Sequence, residues 1–307
     1  MTNCGFSNNF DNVDSFSEYS LTAQLEENLK AYLDYSFLCV GGFVNCVSGT
    51  YLYNQNNTVA HISESTEPSG YKTKYWETNH KEWVYESGIS YNNNSPISVS
   101  GISVNGIFLP SPTGSGNYGY ELDYPNGQIV FDNPVPTTSK INIEYSYKKC
   151  QVYKSSSSNW WGEFKNAIYS DLPNEYSIHL PSVVIEPDIR MNMKPYQIGG
   201  RSFFFDQDML LYIFADSAIE RNNIVDMIRK QKEITLKTYD INTVISSGAY
   251  PLTYNGRINN NGQSYLELIN NFRGSDLFLK NIDIMAIENY SKQLFWCILR
   301  LTTETIL

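Results

Sequence analysis

The sequence predicts an α+β protein, with an N-terminal β-rich, sandwich-like domain followed by a C-terminal antiparallel sheet crossed by one helix. Three observations predict it. Short runs of β-branched and aromatic residues, punctuated by Gly, Asn, Pro and Ser, fill the segment from Phe37 to Tyr153. A serine-rich run, Lys154 to Asn159, then breaks the pattern, since it offers no side chains to bury. Beyond it the apolar runs lengthen and alternate with a capped helical segment.

Residues 1–36 read as an arm and an amphipathic helix. Positions 1–16 are polar, whereas Leu21, Leu25, Leu29, Tyr32 and Leu33 recur at helical spacing with Ser20 placed as the cap. The apolar stripe is expected to cover the core of its own domain. Residues 37–153 read as a β-rich accessory domain. Ile97, Val99, Ile102, Val104 and Ile107 are strand material. Tyr120 to Tyr124 and Gln128 to Phe131 flank Pro125, Asn126 and Gly127, and Asn-Gly supplies the positive φ angles of a tight hairpin turn. Ile141, Ile143, Tyr145 and Tyr147 alternate with Asn142, Glu144 and Ser146, which predicts one buried and one wet face. Several short strands at this spacing imply a small sandwich or barrel.

Residues 154–159 read as the linker and domain boundary, and 160–307 as the α+β domain. Trp160, Trp161, Phe164 and Ile168 suggest a short docking helix, and Tyr176 to Ile185 a strand. Met209 to Phe214 is almost continuously apolar, which predicts a central strand. Ser217 and Glu220 match a capping box, Ile224, Val225 and Ile228 mark the apolar face of the helix that follows, and Arg229, Lys230 and Lys232 suit its C-terminal dipole. Glu233 to Tyr239 reads as the next strand. Residues 240–275, rich in Asn and Gly, read as a long excursion contacting a neighbouring subunit. Leu277, Leu279, Ile282 and Ile284, then Leu294 to Thr303, predict a C-terminal hairpin.

Composition narrows the function classes. The 307 residues are 41% hydrophobic and only 18% charged, yet 24 Tyr, 15 Phe and 5 Trp supply ample apolar area for cores. A surface of Asn, Ser, Thr and Tyr suits wide neutral contacts. The net charge of -10 disfavours wrapping a phosphate backbone, and serves solubility equally well. Cys4, Cys39, Cys46, Cys150 and Cys297 are scattered without a CxxC pair, which points to reduced thiols and no zinc site. Met1 to Phe10 lacks the pattern of a secretory signal, and Phe37 to Val47 falls far short of the roughly 20 apolar residues of a membrane helix.

No catalytic, cofactor-binding or metal-ligating residue is assigned, and the expectation is a non-enzyme. His61, His80 and His179 each lack a second ligand at helical spacing, and there is no Gly-x-Ser-x-Gly elbow. Gly199, Gly200 and Arg201 form a turn rather than a phosphate loop. The pairs Asp206/Asp208 and Glu64/Glu67 lack the pattern of a calcium loop and read as solvated turns. The triplets beginning at Asn56 and Asn289 match the glycosylation pattern, as chance allows in so Asn-rich a chain.

The stretch from Asp206 to Asp216, the helix after it, Ile234 to Leu236 and Tyr239-Asp240 together resemble phage proteins of the tail-terminator type. Tyr250 to Gly256 and the C-terminal hairpin fit the same style, so the resemblance covers roughly residues 175–305. Asp123 to Asp132 is similar to hairpins of phage structural chains. The resemblance implies a homo-oligomeric ring, six-fold, that caps the tail tube and joins it to the head connector. It implies tail tube, sheath and connector proteins as partners, DNA passing through the channel without specific binding, and no membrane. The location implied is the neck or tail of the virion, assembled in the host cytoplasm. The competing reading is a glycan-binding β module of a fibre or adhesin, with Trp76, Trp83, Tyr85 and Tyr91 stacking on sugars; the same residues would equally fill a core or an interface.

Overall fold

Helix α1 (Leu21–Cys39) forms where the apolar spacing places it, and Ser20 caps it by accepting the Ala23 N–H at 3.3 Å. The structure is a computed structural model. It describes residues 20–51, 74–78, 80–111, 118–136, 138–155, 179–196, 203–289 and 294–306. The polar arm, His61, Glu64, Glu67, the triplet at Asn56, the segment from Trp160 to Ile168 and the turn at Gly199 lie outside the described residues.

After α1 the chain enters two small sheets. One has the order β1-β7-β3-β4, from β1 (Phe43–Tyr51), β7 (Ile141–Lys148), β3 (Gly101–Val104) and β4 (Ile107–Pro110). The other has the order β2-β6-β5, from β2 (Tyr75–Glu77), β6 (Gln128–Phe131) and β5 (Tyr120–Asp123). Their inward residues, among them Trp76, Ile102, Tyr120, Ile129, Phe131, Ile141 and Ile143, fill one core. The expected β5–β6 hairpin forms, with Gly127 at a φ of 62°. A second hairpin joins β3 to β4 through Asn105 and Gly106, both at positive φ, which is the pairing a two-residue turn requires.

The second layer is a six-stranded sheet of order β11-β12-β13-β10-β9-β8. Its strands are β8 (Gln151–Lys154), β9 (Ser182–Pro195), β10 (Phe203–Ala215), β11 (Thr235–Leu236), β12 (Leu277–Asn289) and β13 (Phe295–Ile306). β10 lies in the interior between β9 and β13, and β12–β13 is the expected C-terminal hairpin. Helix α2 (Ala218–Arg229) begins at Ser217, whose side chain accepts the Glu220 N–H at 3.2 Å. It buries Ile224, Val225 and Ile228 against β10, β12 and β13, as its apolar face requires.

Four expectations are corrected. First, among the described residues two helices cover this sheet, not one: Leu25, Leu29, Leu33 and Phe37 of α1 share the core of Ile185, Met209, Leu211 and Leu299. Second, β8, expected to end the accessory domain, pairs in parallel with β9 in the C-terminal sheet, so that sheet is mixed. The boundary is therefore not the serine run. The β domain is inserted between α1 and β8, and its two connections lie side by side, Phe43 opposite Lys148 and the Lys149 N–H donating to the Gly42 carbonyl at 2.8 Å. Gly41 turns the incoming chain at a φ of 85°, under the Tyr91 ring.

Third, residues 240–275 are not an open loop. They form α3 (Ile241–Ser246) and α4 (Tyr265–Asn271), and Tyr239, Ile241, Val244, Ala249 and Leu268 close a small core of their own. Asn28 of α1 clamps the start of this segment: its side chain donates to the Tyr239 carbonyl at 3.0 Å and accepts the Tyr239 N–H at 2.8 Å. Fourth, the wet face of β7 is dry at its end. Ser146 and Lys148 are buried, because residues 82–84 bond along that part of the strand.

Ile228→Asp is expected to destabilise the protein by several kcal/mol, on the order of 3–5, since it buries a carboxylate without a partner. Leu29→Ala is expected to cost about 2–5 kcal/mol through the cavity it leaves. Urea unfolding followed by circular dichroism measures both, and a native-like midpoint for Leu29→Ala would show that α1 is peripheral.

Candidate functional site

Alternation along β7 carries Lys148 to the place where the inserted domain meets α1. The Lys148 N–H donates to the Glu82 carbonyl at 2.9 Å, and the Val84 N–H donates to the Ser146 carbonyl at 2.8 Å. These bonds hold the 82–86 segment on β7 and bring Glu86 to the ammonium group. Lys148 Nζ lies 2.7 Å from Glu86 Oε1 and 3.4 Å from Asp34 Oδ2 of α1, with only 2% of its side chain exposed. Neither contact is aligned as a hydrogen bond, so the attraction is ionic. The ammonium also stands 5.0 Å from the centre of the Tyr85 ring, within cation–π range. Burial alone would lower the Lys148 pKa; the carboxylates of Asp34 and Glu86 outweigh it and hold the pKa above the ordinary lysine value.

The network extends along α1. Lys30 Nζ lies 3.0 Å from Asp34 Oδ2, one helical turn away. Glu27 pairs with Lys154 of β8 and accepts the Tyr250 hydroxyl. Burial would raise the Glu27 carboxyl, but Lys154 and that hydroxyl hold it below its usual value. Burial raises Glu82 instead. Between α1, the 85–87 segment and the 239–268 segment the chain leaves a cleft of about 230 Å3, bordered by Lys30, Asp34, Tyr35, Tyr85, Ser87 and Tyr265.

The residues weighed from the sequence fall elsewhere. His80 stacks on Tyr147 with ring centres 3.9 Å apart, and its Nδ1 is 2.9 Å from the Tyr145 hydroxyl. The fold brings His179 to within 6.2 Å of His80, ring centre to ring centre, which sequence spacing did not reveal. Burial pushes both imidazole pKa values down, and at His179 the His80 and Lys81 charges add to it. Among the described residues no three His, Cys, Asp or Glu side chains gather as metal ligands. Asp208 is no solvated turn. It is buried on β10 between Arg190 at 3.4 Å and Arg300 at 3.8 Å, and it accepts the Thr302 hydroxyl at 2.7 Å. Trp76 and Trp83 are core residues and Tyr91 covers Gly41, so the four aromatic residues share no exposed platform.

Sequence reasoning missed Asp34, Glu86 and Lys148. The Lys30–Asp34 spacing was visible, but it is the commonplace of solvated helix faces. Only the chain path shows that this face is covered. No protein-family model and no curated protein sequence matches the chain. Among the described residues no helix is long and apolar enough to cross a membrane.

Lys148→Met is expected to destabilise the protein by about 3–5 kcal/mol, because it strands two buried carboxylates. The raised Lys148 pKa also fixes a sign. Its stabilising contribution is whole below the unfolded lysine pKa of about 10.4 and is lost as pH rises above it towards the folded value. Thermal melting from neutral to alkaline pH should therefore show a fall in midpoint that Lys148→Met reduces; an identical alkaline slope in both proteins would show that the group makes no such contribution.

Proposed function

We propose that the chain is a non-catalytic structural subunit of the neck or tail of a tailed bacteriophage, of the tail-terminator type. It acts as one subunit of a six-fold ring that caps the tail tube and meets the head connector. The six-stranded sheet, crossed by α2 over the central strand β10, forms the ring body. The inserted β domain reaches outward from one end of it.

The observation that carries this reading is the far end of β9, opposite the inserted domain. Ile189 is 99% exposed, and Met191, Met193 and Tyr196 are each more than half exposed. Among the described residues nothing covers them. An exposed run of large apolar residues along one strand suits a permanent protein neighbour. Pro187 and Pro195 remove two N–H groups from this strand, and a bulge opposite Asp208 breaks its register. Such an edge resists endless strand addition, so a neighbour would pack on its side chains. The acidic net charge suits a wall past which DNA slides without sticking.

Imaging of the assembled particle tests the proposal. The expected result is a ring of this chain around the central channel; copies standing as separate fibres or spikes would overturn it. The double variant Ile189→Asp/Met191→Asp should leave the subunit stability within about 0.5 kcal/mol, as for exposed positions, while abolishing incorporation into the ring.

A further inference from the structure

We propose that the occupant of the exposed β9 strip is the open edge of β12 in a second copy of this chain. The inference rests on the reading of that strip as the seat of a neighbouring subunit, and adds which surface of the neighbour fills it.

Both edges of the six-stranded sheet are open over part of their length. β8 covers β9 only as far as Ile185, and β11 with the residues just before it covers β12 only as far as Leu279. Among the described residues, no strand lies beside β9 from 186 to 195 or beside β12 from 280 to 289. Large apolar side chains stand exposed on both stretches. Ile189, Met191 and Met193 do so on β9, and Ile284, Met285 and Ile287 on β12.

The two stretches match face by face. On β9, Met191 and Met193 lie opposite Gln207 and Phe205, on the side of the sheet that the helices cover, and Arg190 and Lys194 alternate with them. On β12, Ile284 and Ile287 lie opposite Leu299 and Cys297 on that same side, and Asp283 and Glu288 lie opposite Arg300 and Trp296 on the other. Met285 stands in a bulge, so Asp283 and Glu288 are as far apart along their strand as Lys194 and Arg190 are along theirs. Laid antiparallel, with the helices of both copies on one side, the edges set Met191 against Ile287 and Met193 against Ile284. The same register sets Arg190 against Glu288 and Lys194 against Asp283. Pro195 and the bulge opposite Asp208 bound the β9 stretch, so side chains rather than a main-chain ladder carry the contact.

Charge selects this pairing over its alternatives. Among the described residues neither Lys194 nor the Glu288 carboxylate has an ionic partner, and Arg190 is 60% exposed beside Asp208. Two β9 edges would bring cations together, and two β12 edges would bring carboxylates together. Only a head-to-tail contact joins opposite charges, and such contacts run from copy to copy until they close as a ring. Met193 is level with the covered start of β12, through Phe205 and Thr305, so the two open stretches lie towards opposite ends of the sheet. Successive copies therefore step along the strand direction, as the inclined strands of a closed cylinder do.

Sedimentation velocity and oxidative cross-linking of the full chain test the pairing. The unmodified chain should associate as its concentration rises. Lys194→Glu and Asp283→Lys should each weaken that association about tenfold or more while circular dichroism stays native. An equimolar mixture of the two variants should recover it, because each supplies the edge that the other's reversed charge requires. The double variant Asn192→Cys/Ala286→Cys should form an intermolecular disulfide that neither single variant forms, and it decides alone if a charge variant does not fold. A chain that stays monomeric and does not cross-link, association indifferent to Asp283→Lys, or a mixture no better than its parts would each overturn the pairing. Association that fails these tests overturns the β9–β12 contact alone; copies imaged as fibres overturn the ring.

Discussion

A lysine ammonium with 2% of its side chain exposed must be neutralised where it sits, and Lys148 draws its two carboxylates from different parts of the chain. Asp34 comes from α1, and Glu86 from a segment of the inserted domain. The inserted domain therefore has one favourable seat on α1, because a shift of even a few ångströms would leave a buried charge unpaired. α1 is itself held on both other sides. Leu25, Leu29, Leu33 and Phe37 lie in the sheet core, while Asn28 grips the backbone of Tyr239. One helix thus touches the sheet, the inserted domain and the 239–268 segment through three faces of different chemistry.

The ionic junction and the exposed apolar strip lie at different ends of the sheet. β8 and β9 start together at the end of the sheet where the inserted domain joins, so the ionic junction and the cleft lie towards that end. The exposed Ile189, Met191 and Met193 lie at the opposite end of β9. The exposed strip proposed for a neighbouring subunit is therefore separate from the ionic junction. The inserted domain is also tied from its other side, where the Tyr124 N–H donates to the Gly256 carbonyl at 3.0 Å and Arg257 pairs with Glu121. Two attachments far apart in sequence keep a domain that is joined by adjacent connections from swinging about them.

The parts of the fold that were legible in the sequence are those that periodicity and caps determine locally. α2 with its Ser217 cap, the β5–β6 hairpin and the β12–β13 hairpin follow from the pattern of one continuous stretch of chain each. What could not be read is long-range. The stripe on α1 announces an apolar face but not the sheet that covers it, some 150 residues away in sequence for Val183 and Ile185. β8 is four residues long and continues the alternation of β7, so nothing local says that it changes sheets. The 240–275 segment looked open because its apolar residues are sparse; Tyr239, Val244 and Leu268 close a core only when folded against Ala31 of α1. At the ionic junction, Lys148 sits at the polar phase of a strand that looked half wet, and only the covering 82–86 segment makes it dry.

If the Lys148 junction joins these regions, they should open as one unit. Hydrogen exchange across a urea titration reads this directly, comparing amides of β7 (Ile141–Lys148) in the inserted domain with those of β10 (Phe203–Ala215) in the main sheet. The expected result is a shared midpoint and a shared denaturant dependence for the slowest amides of both strands. Opening of β7 at lower urea, while β10 remains protected, would contradict it and make the inserted domain an independent folding unit.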